Sequence, residues 1–286
     1  MNIHFVHVGG PYTKILDTMI DPIREHLPDS TMSRYALPDC LNVTFFVEKH
    51  IQNFAGKMIF ISHGIADKGY RDIKNVECFD YVCVSGPTWV DKMVKQGFPE
   101  DRILMNGYTK LDPIFQGKVK RTPGDKPGVL WAPTHNSVQM WSSYPYLNEF
   151  VNRLPNYGYD VMVSAHPANK ADNKPTFELM VDADIVIADS GSTLYEAWAL
   201  GKQVIFPDWL IRNSVTGFRT LESYIFKNNI GLHANNEDDI LRLIECGLKS
   251  PLPSSITNFM EGILPTSLRG HSGAKTAELL KVIANV

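Results

Sequence analysis

Short apolar runs alternate with amphipathic stretches along most of the chain. Ile3–Val8, Val43–Val47, Met58–Ser62, Asp80–Val84 and Ile103–Asn106 read as buried strands in the first part. Val129–Ala132, Asp160–Ser164, Ile185–Ala188 and Val204–Phe206 read the same way in the second. These runs are rich in β-branched residues and lack the strict apolar–polar alternation of a half-exposed strand. Helical spacing fills the gaps, ending near Leu27 and then over Thr88–Gln96, Tyr146–Arg153, Thr193–Leu200, Asp238–Leu248 and Ala274–Ile283. Apolar strands alternating with helices predict parallel sheets covered on both faces, because crossover helices hide both sides.

The pattern breaks at Gln116–Gly128, QGKVKRTPGDKPG, where basic residues mix with two prolines and three glycines. Such a stretch reads as a linker. It divides the chain into an N-terminal Rossmann-like half (1–116), a linker (117–128), a C-terminal Rossmann-like half (129–270) and a closing helix (271–286). The expected architecture is α/β, two Rossmann-type domains whose parallel sheets face a cleft. Ligands of such folds bind outside the carboxyl ends of the strands.

Polar residues concentrate at those ends. Ile185–Ala188 runs into Asp189, Ser190, Gly191, Ser192 and Thr193, then a helix that Gly201 stops. A strand–turn–helix unit aims backbone N–H groups at whatever lies beyond the strand, and the helix dipole favours an anion there. Small hydroxyl residues let a phosphate approach closely. Glu196, one turn into the helix, is placed to accept hydrogen bonds from a ribose. The same serines and threonine would serve equally as helix caps. Two histidines also follow strands, one per half: His63, with Gly64 and Lys68 after it, and His166, followed by Pro167. Imidazole can take a proton from a hydroxyl or return one to a leaving group. Gly64 would admit a substrate backbone-close, and Lys68 would neutralise a phosphate. Thr134 and His135 end the strand Val129–Ala132, and His7 ends the first strand. His26, His50, His233 and His271 read as surface or capping positions.

Composition narrows the partners. With 28 Lys+Arg against 31 Asp+Glu the net charge is −3, so no global field draws the chain to nucleic acid or anionic lipid. No run approaches the ~20 apolar residues of a membrane helix. The basic trio Lys118, Lys120 and Arg121 is too short to anchor a lipid surface. The four cysteines form no Cys-x-x-Cys pair and the chain opens on an apolar strand, so a reduced, cytoplasmic protein is expected. Asp182-Ala-Asp184 has a metal-binding spacing but precedes its strand, which favours a solvated turn. No metal or other cofactor is expected beyond a nucleotide-diphosphate donor.

Taken in order, these strand ends resemble the CDP-glycerol glycerophosphotransferases, the teichoic acid polymerase and primase family of the GT-B superfamily. The likeness rests on His63-Gly64 with Lys68, on Gly107-Tyr108 with Asp112, and on Ala132-Pro133-Thr134. It continues through His166-Pro167, Asp189–Ser192 and Gly201-Lys202 with Phe206. Ser164 stands where the family carries an arginine, and Asp189-Ser190-Gly191-Ser192 leans toward the Asp-Ser-Gly-Gly turn of the UDP-GlcNAc 2-epimerases. The segment between His166 and Asp189 looks short by a βα unit. The resemblance implies transfer of a glycerol-phosphate or related polyol-phosphate unit from a CDP-activated donor to a hydroxyl, in cell-envelope polymer chemistry. His63 and His166 would be catalytic. Gly64, Lys68, Thr134, Ser190, Gly191, Ser192, Thr193 and Glu196 would hold nucleotide and phosphate. A GT-B glycosyltransferase using a nucleotide sugar, a UDP-GlcNAc 2-epimerase-like enzyme and a nucleotide-binding module remain open.

Overall fold

The computed structural model describes residues 1–7, 9, 13–47, 51, 54, 56–67, 73–122, 124–134, 142–146, 151–165 and 175–285. The chain forms two compact units. One comprises Met1–Ile65, Gly69–Lys118 and Glu261–Val286, the other Ala66–Lys68 and Val119–Met260.

The first unit contains β1 (Asn2–Val6), α1 (Thr13–Arg24), β2 (Thr31–Ser33), β3 (Cys40–Thr44), β4 (Met58–Ile61) and β5 (Tyr81–Val84). It continues with α2 (Pro87–Lys95), β6 (Ile103–Met105) and α3 (Asp112–Phe115). Its sheet runs β2-β1-β3-β4-β5-β6, parallel throughout. The second unit holds β7 (Gly128–Ala132), β8 (Asp160–Val163), α4 (Thr176–Asp182), β9 (Ile185–Ala188), α5 (Ser192–Ala199) and β10 (Gln203–Pro207). Then come α6 (Asp208–Val215), α7 (Leu221–Lys227), β11 (Leu232–Ala234), α8 (Glu237–Lys249) and, apart from its last three residues, which belong to the first unit, α9 (Ser254–Ile263). Its sheet runs β11-β10-β9-β7-β8, again parallel. The closing helix α10 (Ser272–Ala284) belongs to the first unit. Strand order reverses between β1 and β3 in one sheet and between β7 and β9 in the other. Those reversals mark where open α/β sheets bind ligands.

Central strands β3, β4, β7, β9 and β10 are buried at every residue, as sheets covered on both faces require. On one face of the second sheet Val129, Trp131, Ile185, Ile187 and Ile205 pack with Ile240, Leu243 and Ile244 of α8. The strand expected over Val43–Val47 is β3, Cys40–Thr44. Polar Asn42 hides its start from a hydropathy reading. Its buried amide donates to Leu37 O and accepts from Leu37 N, both at 2.8 Å. Edge strand β2 is exposed at all three residues and carries no apolar signature. Buried His4 reaches it through Thr31 and Ser33 hydroxyls. Helix α4 lies between His166 and Asp189, a stretch for which the sequence predicts no element. Of the helix expected over 146–153, residues 151–153 are helical, Tyr144–Tyr146 form a 3-10 turn, and 147–150 lie outside the described residues.

Candidate functional site

In the second unit, β9 delivers Asp189 to the sheet edge beside the end of β7. Ser190, Gly191, Ser192 and Thr193 follow, all half-buried, and α5 begins at Ser192. Gly191 has φ +103° and ψ −163°, a region open only to glycine. It breaks the strand direction and starts the helix within one residue. Glu196 is on the same face of α5 as Ser192 and is 1% exposed. Neighbouring Tyr195 is buried, and its hydroxyl donates to Glu222 Oε1 at 3.0 Å. Burial and Glu222 push that phenol well above its ordinary value. Glu222 Oε1 also accepts from Asp67 N at 3.0 Å, and Asp67 Oδ2 accepts from Leu221 N at 2.5 Å. Asp67 is thereby tied to the start of α7.

Asp189 ties the two strands of the reversal together. Its Oδ2 accepts from Thr134 N and from Ser143 N, both at 2.9 Å. Trp131 Nε1 donates to Ser143 Oγ at 2.9 Å, and Ser142 Oγ donates to Thr134 O at 2.8 Å. The carboxylate is fully buried, and its Oδ1 has no hydrogen-bond partner among the described residues. Burial, opposed by those N–H and hydroxyl groups, pushes the Asp189 carboxyl up to about 6.

In the first unit, His63 stands two residues past β4 with an exposed ring. Its Nδ1 lies 3.1 Å from Phe45 O, and the ring stacks on Phe46 at 4.4 Å between centroids, 15° from parallel. A carbonyl can only accept, so Nδ1 carries the hydrogen. In the neutral ring Nε2 is then the proton-accepting nitrogen, which is what a general base needs. Ser62 Oγ donates to Gly64 O at 2.7 Å and holds the His-Gly turn.

Thr134 is therefore brought to Asp189, at the start of the Ser190–Thr193 turn. His63 and Gly64 form a separate strand end. His166, Lys68, His135 and His50 lie outside the described residues. His233 is not a surface position. Its side chain is 9% exposed, with Nδ1 2.8 Å from Asp208 Oδ1 and the ring 4.9 Å from Phe206. His7 Nδ1 accepts from Gly9 N at 3.1 Å, and its Nε2 lies 3.2 Å from Asp17 Oδ1. Asp182 and Asp184 are engaged by the linker: Thr122 N donates to Asp182, and Arg121 pairs with Asp184 at 2.7 Å. Among the described residues no group of His, Cys, Asp and Glu is arranged to hold a metal, and no helix is long and apolar enough to cross a membrane. Cys40 and Cys83 are buried, and burial pushes the Cys83 thiol up to about 12, away from thiolate chemistry.

Three positioning elements escaped the sequence reading: Asp189 as a cross-strand tie, Ser143 as its partner, and Phe46 as the platform under His63. An acid ending a wholly apolar strand was a signal available for the first. The other two depend on contacts that spacing does not encode.

No known family model matches the chain, and no curated protein sequence matches it. Solved structures do. A variant of the wall teichoic acid polymerase TagF soaked with CDPG is 13% identical with a TM-score of 0.72, covering 99% of this chain and 88% of that one. The Staphylococcus aureus MnaA–UDP structure is 11% identical with a TM-score of 0.62, covering 100% and 97%. The Methanocaldococcus jannaschii UDP-GlcNAc 2-epimerase with UDP-GlcNAc and UDP is 13% identical with a TM-score of 0.51, covering 97% and 82%. Likeness at such identity is likeness of fold. With two parallel Rossmann-type units of matching topology, the chain has the GT-B fold.

Proposed function

We propose that the chain is a transferase moving a glycerol-phosphate or related polyol-phosphate unit from a CDP-activated donor to a hydroxyl acceptor. The observation that carries this reading is the half-buried hydroxyl turn Ser190–Thr193 at the β7/β9 reversal, with Thr134 beside it. In this reading Ser190, Gly191, Ser192 and Thr193 hold the donor diphosphate through N–H groups, hydroxyls and the α5 dipole. Thr134 adds a further donor, and Glu196 takes the ribose hydroxyls. His63 accepts the acceptor's proton at Nε2 as the hydroxyl oxygen attacks the phosphorus bearing the glycerol. The bond from that phosphorus to CMP breaks, and its electron pair leaves on the CMP phosphate. His166 stabilises or protonates that phosphate, and Lys68 offsets its charge, roles that rest on the sequence resemblance. Negative charge gathering on the departing phosphate calls for such preorganised groups. The same reading makes the chain cytoplasmic, with no nucleic-acid partner and no membrane insertion.

A nucleotide-sugar reading draws support from the Ser190-Gly191-Ser192 turn and from the UDP-bound structures of matching fold. A donor panel with nucleotide-release detection separates the readings. CMP release from CDP-glycerol in the presence of polyol acceptors supports the proposal. UDP or GDP release from a nucleotide sugar replaces it with glycosyl transfer. Epimer formation without nucleotide release makes the chain an epimerase, and binding without turnover makes it a nucleotide-binding module. In the same assay His63→Ala should cut CMP release by roughly 10²–10⁴-fold with an unchanged circular dichroism spectrum. A rate near that of the unsubstituted protein removes His63 as the base.

A further inference from the structure

The Asp189 carboxylate is not paired as a buried charge ordinarily is. Buried carboxylates are usually neutralised by a cation or have both oxygens hydrogen-bonded. Here one oxygen takes both N–H groups and Oδ1 takes none. Among the described residues, the groups that hydrogen-bond Asp189 are Thr134 from the end of β7 and Ser142 and Ser143 from the segment that follows, all uncharged. The next residue in the chain begins the hydroxyl turn assigned above to the donor diphosphate. Two negative charges arriving there would meet an ionised carboxylate in a medium that screens poorly.

We propose that Asp189 is the positioning residue of the donor turn and takes up one proton when a nucleotide diphosphate binds. The inference rests on the donor reading of Ser190–Thr193. Free protein at neutral pH holds the carboxylate, whose Oδ2 fixes Thr134 and Ser143. Binding places the diphosphate beside it, and a proton from solvent adds to the carboxylate. The acid so formed keeps Oδ2 as acceptor for the two N–H groups, so the turn holds its shape while the opposing charge disappears. No covalent bond to the ligand forms.

The probe is CDP-glycerol, whose diphosphate is doubly esterified and has no group titrating between about pH 5.5 and 8. Calorimetry in two buffers of different ionisation enthalpy counts the protons taken up. The unsubstituted protein should take up a measurable fraction of one proton at pH 7, and its Kd should rise up to about tenfold per pH unit above about pH 6. Asp189→Asn keeps an acceptor oxygen and cannot ionise. It should bind without proton uptake and with a Kd flat within about twofold across that range. Uptake that persists in Asp189→Asn, or a Kd with the same pH slope, overturns the proposal, because another group then titrates. A residue with only a structural role would shift melting temperature and leave the slope alone. If Asp189→Asn does not fold, the infrared difference spectrum of the unsubstituted protein decides. A new protonated-carboxyl band on adding CDP-glycerol supports the proposal, and its absence overturns it. Failure of the unsubstituted protein to bind CDP-glycerol or UDP-GlcNAc is a different result: it removes the donor reading itself, and this inference with it.

Discussion

Asp112 in the first unit and Asp189 in the second are both buried carboxylates accepting two backbone N–H groups, but they spend their oxygens differently. At Asp112 each oxygen has its own partner, Ser272 N at 3.3 Å and Gly273 N at 2.6 Å. Those residues open α10, so the carboxylate also meets the positive end of a 13-residue helix. Gly107 completes the socket, because a Cβ there would lie 2.3 Å from Ser272 Oγ. At Asp189 one oxygen accepts both N–H groups, and the other has no partner among the described residues. Burial raises both acids, Asp189 to about 6. A carboxylate with both oxygens engaged holds the fold together. One left half-engaged beside the turn proposed to hold the donor bears an uncompensated desolvation cost, the kind of local inconsistency that collects at functional sites.

The largest expected effect tests the first half of that contrast. Asp112→Asn must place an NH2 group where one carboxylate oxygen accepted a backbone N–H, so two donors face each other in a buried space. A buried donor left unsatisfied costs about 2–3 kcal/mol. For a chain of this size the melting temperature should fall by roughly 5–10 °C. A fall smaller than about 1 °C would mean that α10 does not depend on its cap.

The two aspartates also mark what the sequence made legible. Strands β4, β7 and β9 stand where continuous apolar runs placed them, because total burial removes any polar residue that could confuse the reading. The turn Ser190–Thr193 and the position of His63 were legible for the same reason, as polar groups directly after such runs. Asp112 was visible as part of a motif, but its work as a cap was not, since its partners are 160 and 161 residues away. The partners of Asp189 are 55 and 46 residues away. Likewise nothing in the linear pattern placed Glu261–Val286 with the first unit, an arrangement that rests on contacts such as Asn106 with Thr276. Local placement was readable; pairings across long sequence separations were not.

A smaller effect probes the turn that Asp189 supports. Beyond its two chain neighbours, no atom of the described residues lies within 4 Å of a Cβ built on Gly191, so the cost of Gly191→Ala is conformational. Holding alanine at φ +103° and ψ −163° costs about 2 kcal/mol. The melting temperature should fall by roughly 4–6 °C if the turn keeps its shape. If the turn relaxes instead, the loss moves to CDP-glycerol affinity, because the N–H groups of Ser190 to Thr193 lose their common direction. A melting temperature and an affinity both unchanged would show that the turn tolerates other conformations, and that neither quantity depends on its geometry.

The smallest effect carries the opposite sign and is the sharpest test of the contrast. The folded-state value of Asp189 is raised from 3.8 to about 6. Between those values the native state binds more protons than the unfolded chain, so stability falls as pH rises through that window and levels off above it. Ionised Asp189 thus costs the fold on the order of 2–3 kcal/mol at pH 7.5 relative to pH 4. Asp189→Asn keeps the oxygen that serves Thr134 and Ser143 and removes the charge. After the cost of one unpaired amide N–H, a gain of about 1 kcal/mol should remain. The substituted protein should melt roughly 2–4 °C higher at pH 7.5 and within about 1 °C of the unsubstituted protein at pH 5, where Asp189 is already mostly protonated. Asp112→Asn should lose stability at both pH values, since its loss is a misplaced donor rather than a removed charge. Thermal melts of both variants at the two pH values check the pair of signs together. If Asp189→Asn melts lower at pH 7.5, as Asp112→Asn does, then Oδ1 finds a partner in solution, and the two aspartates are the same structural device in different places.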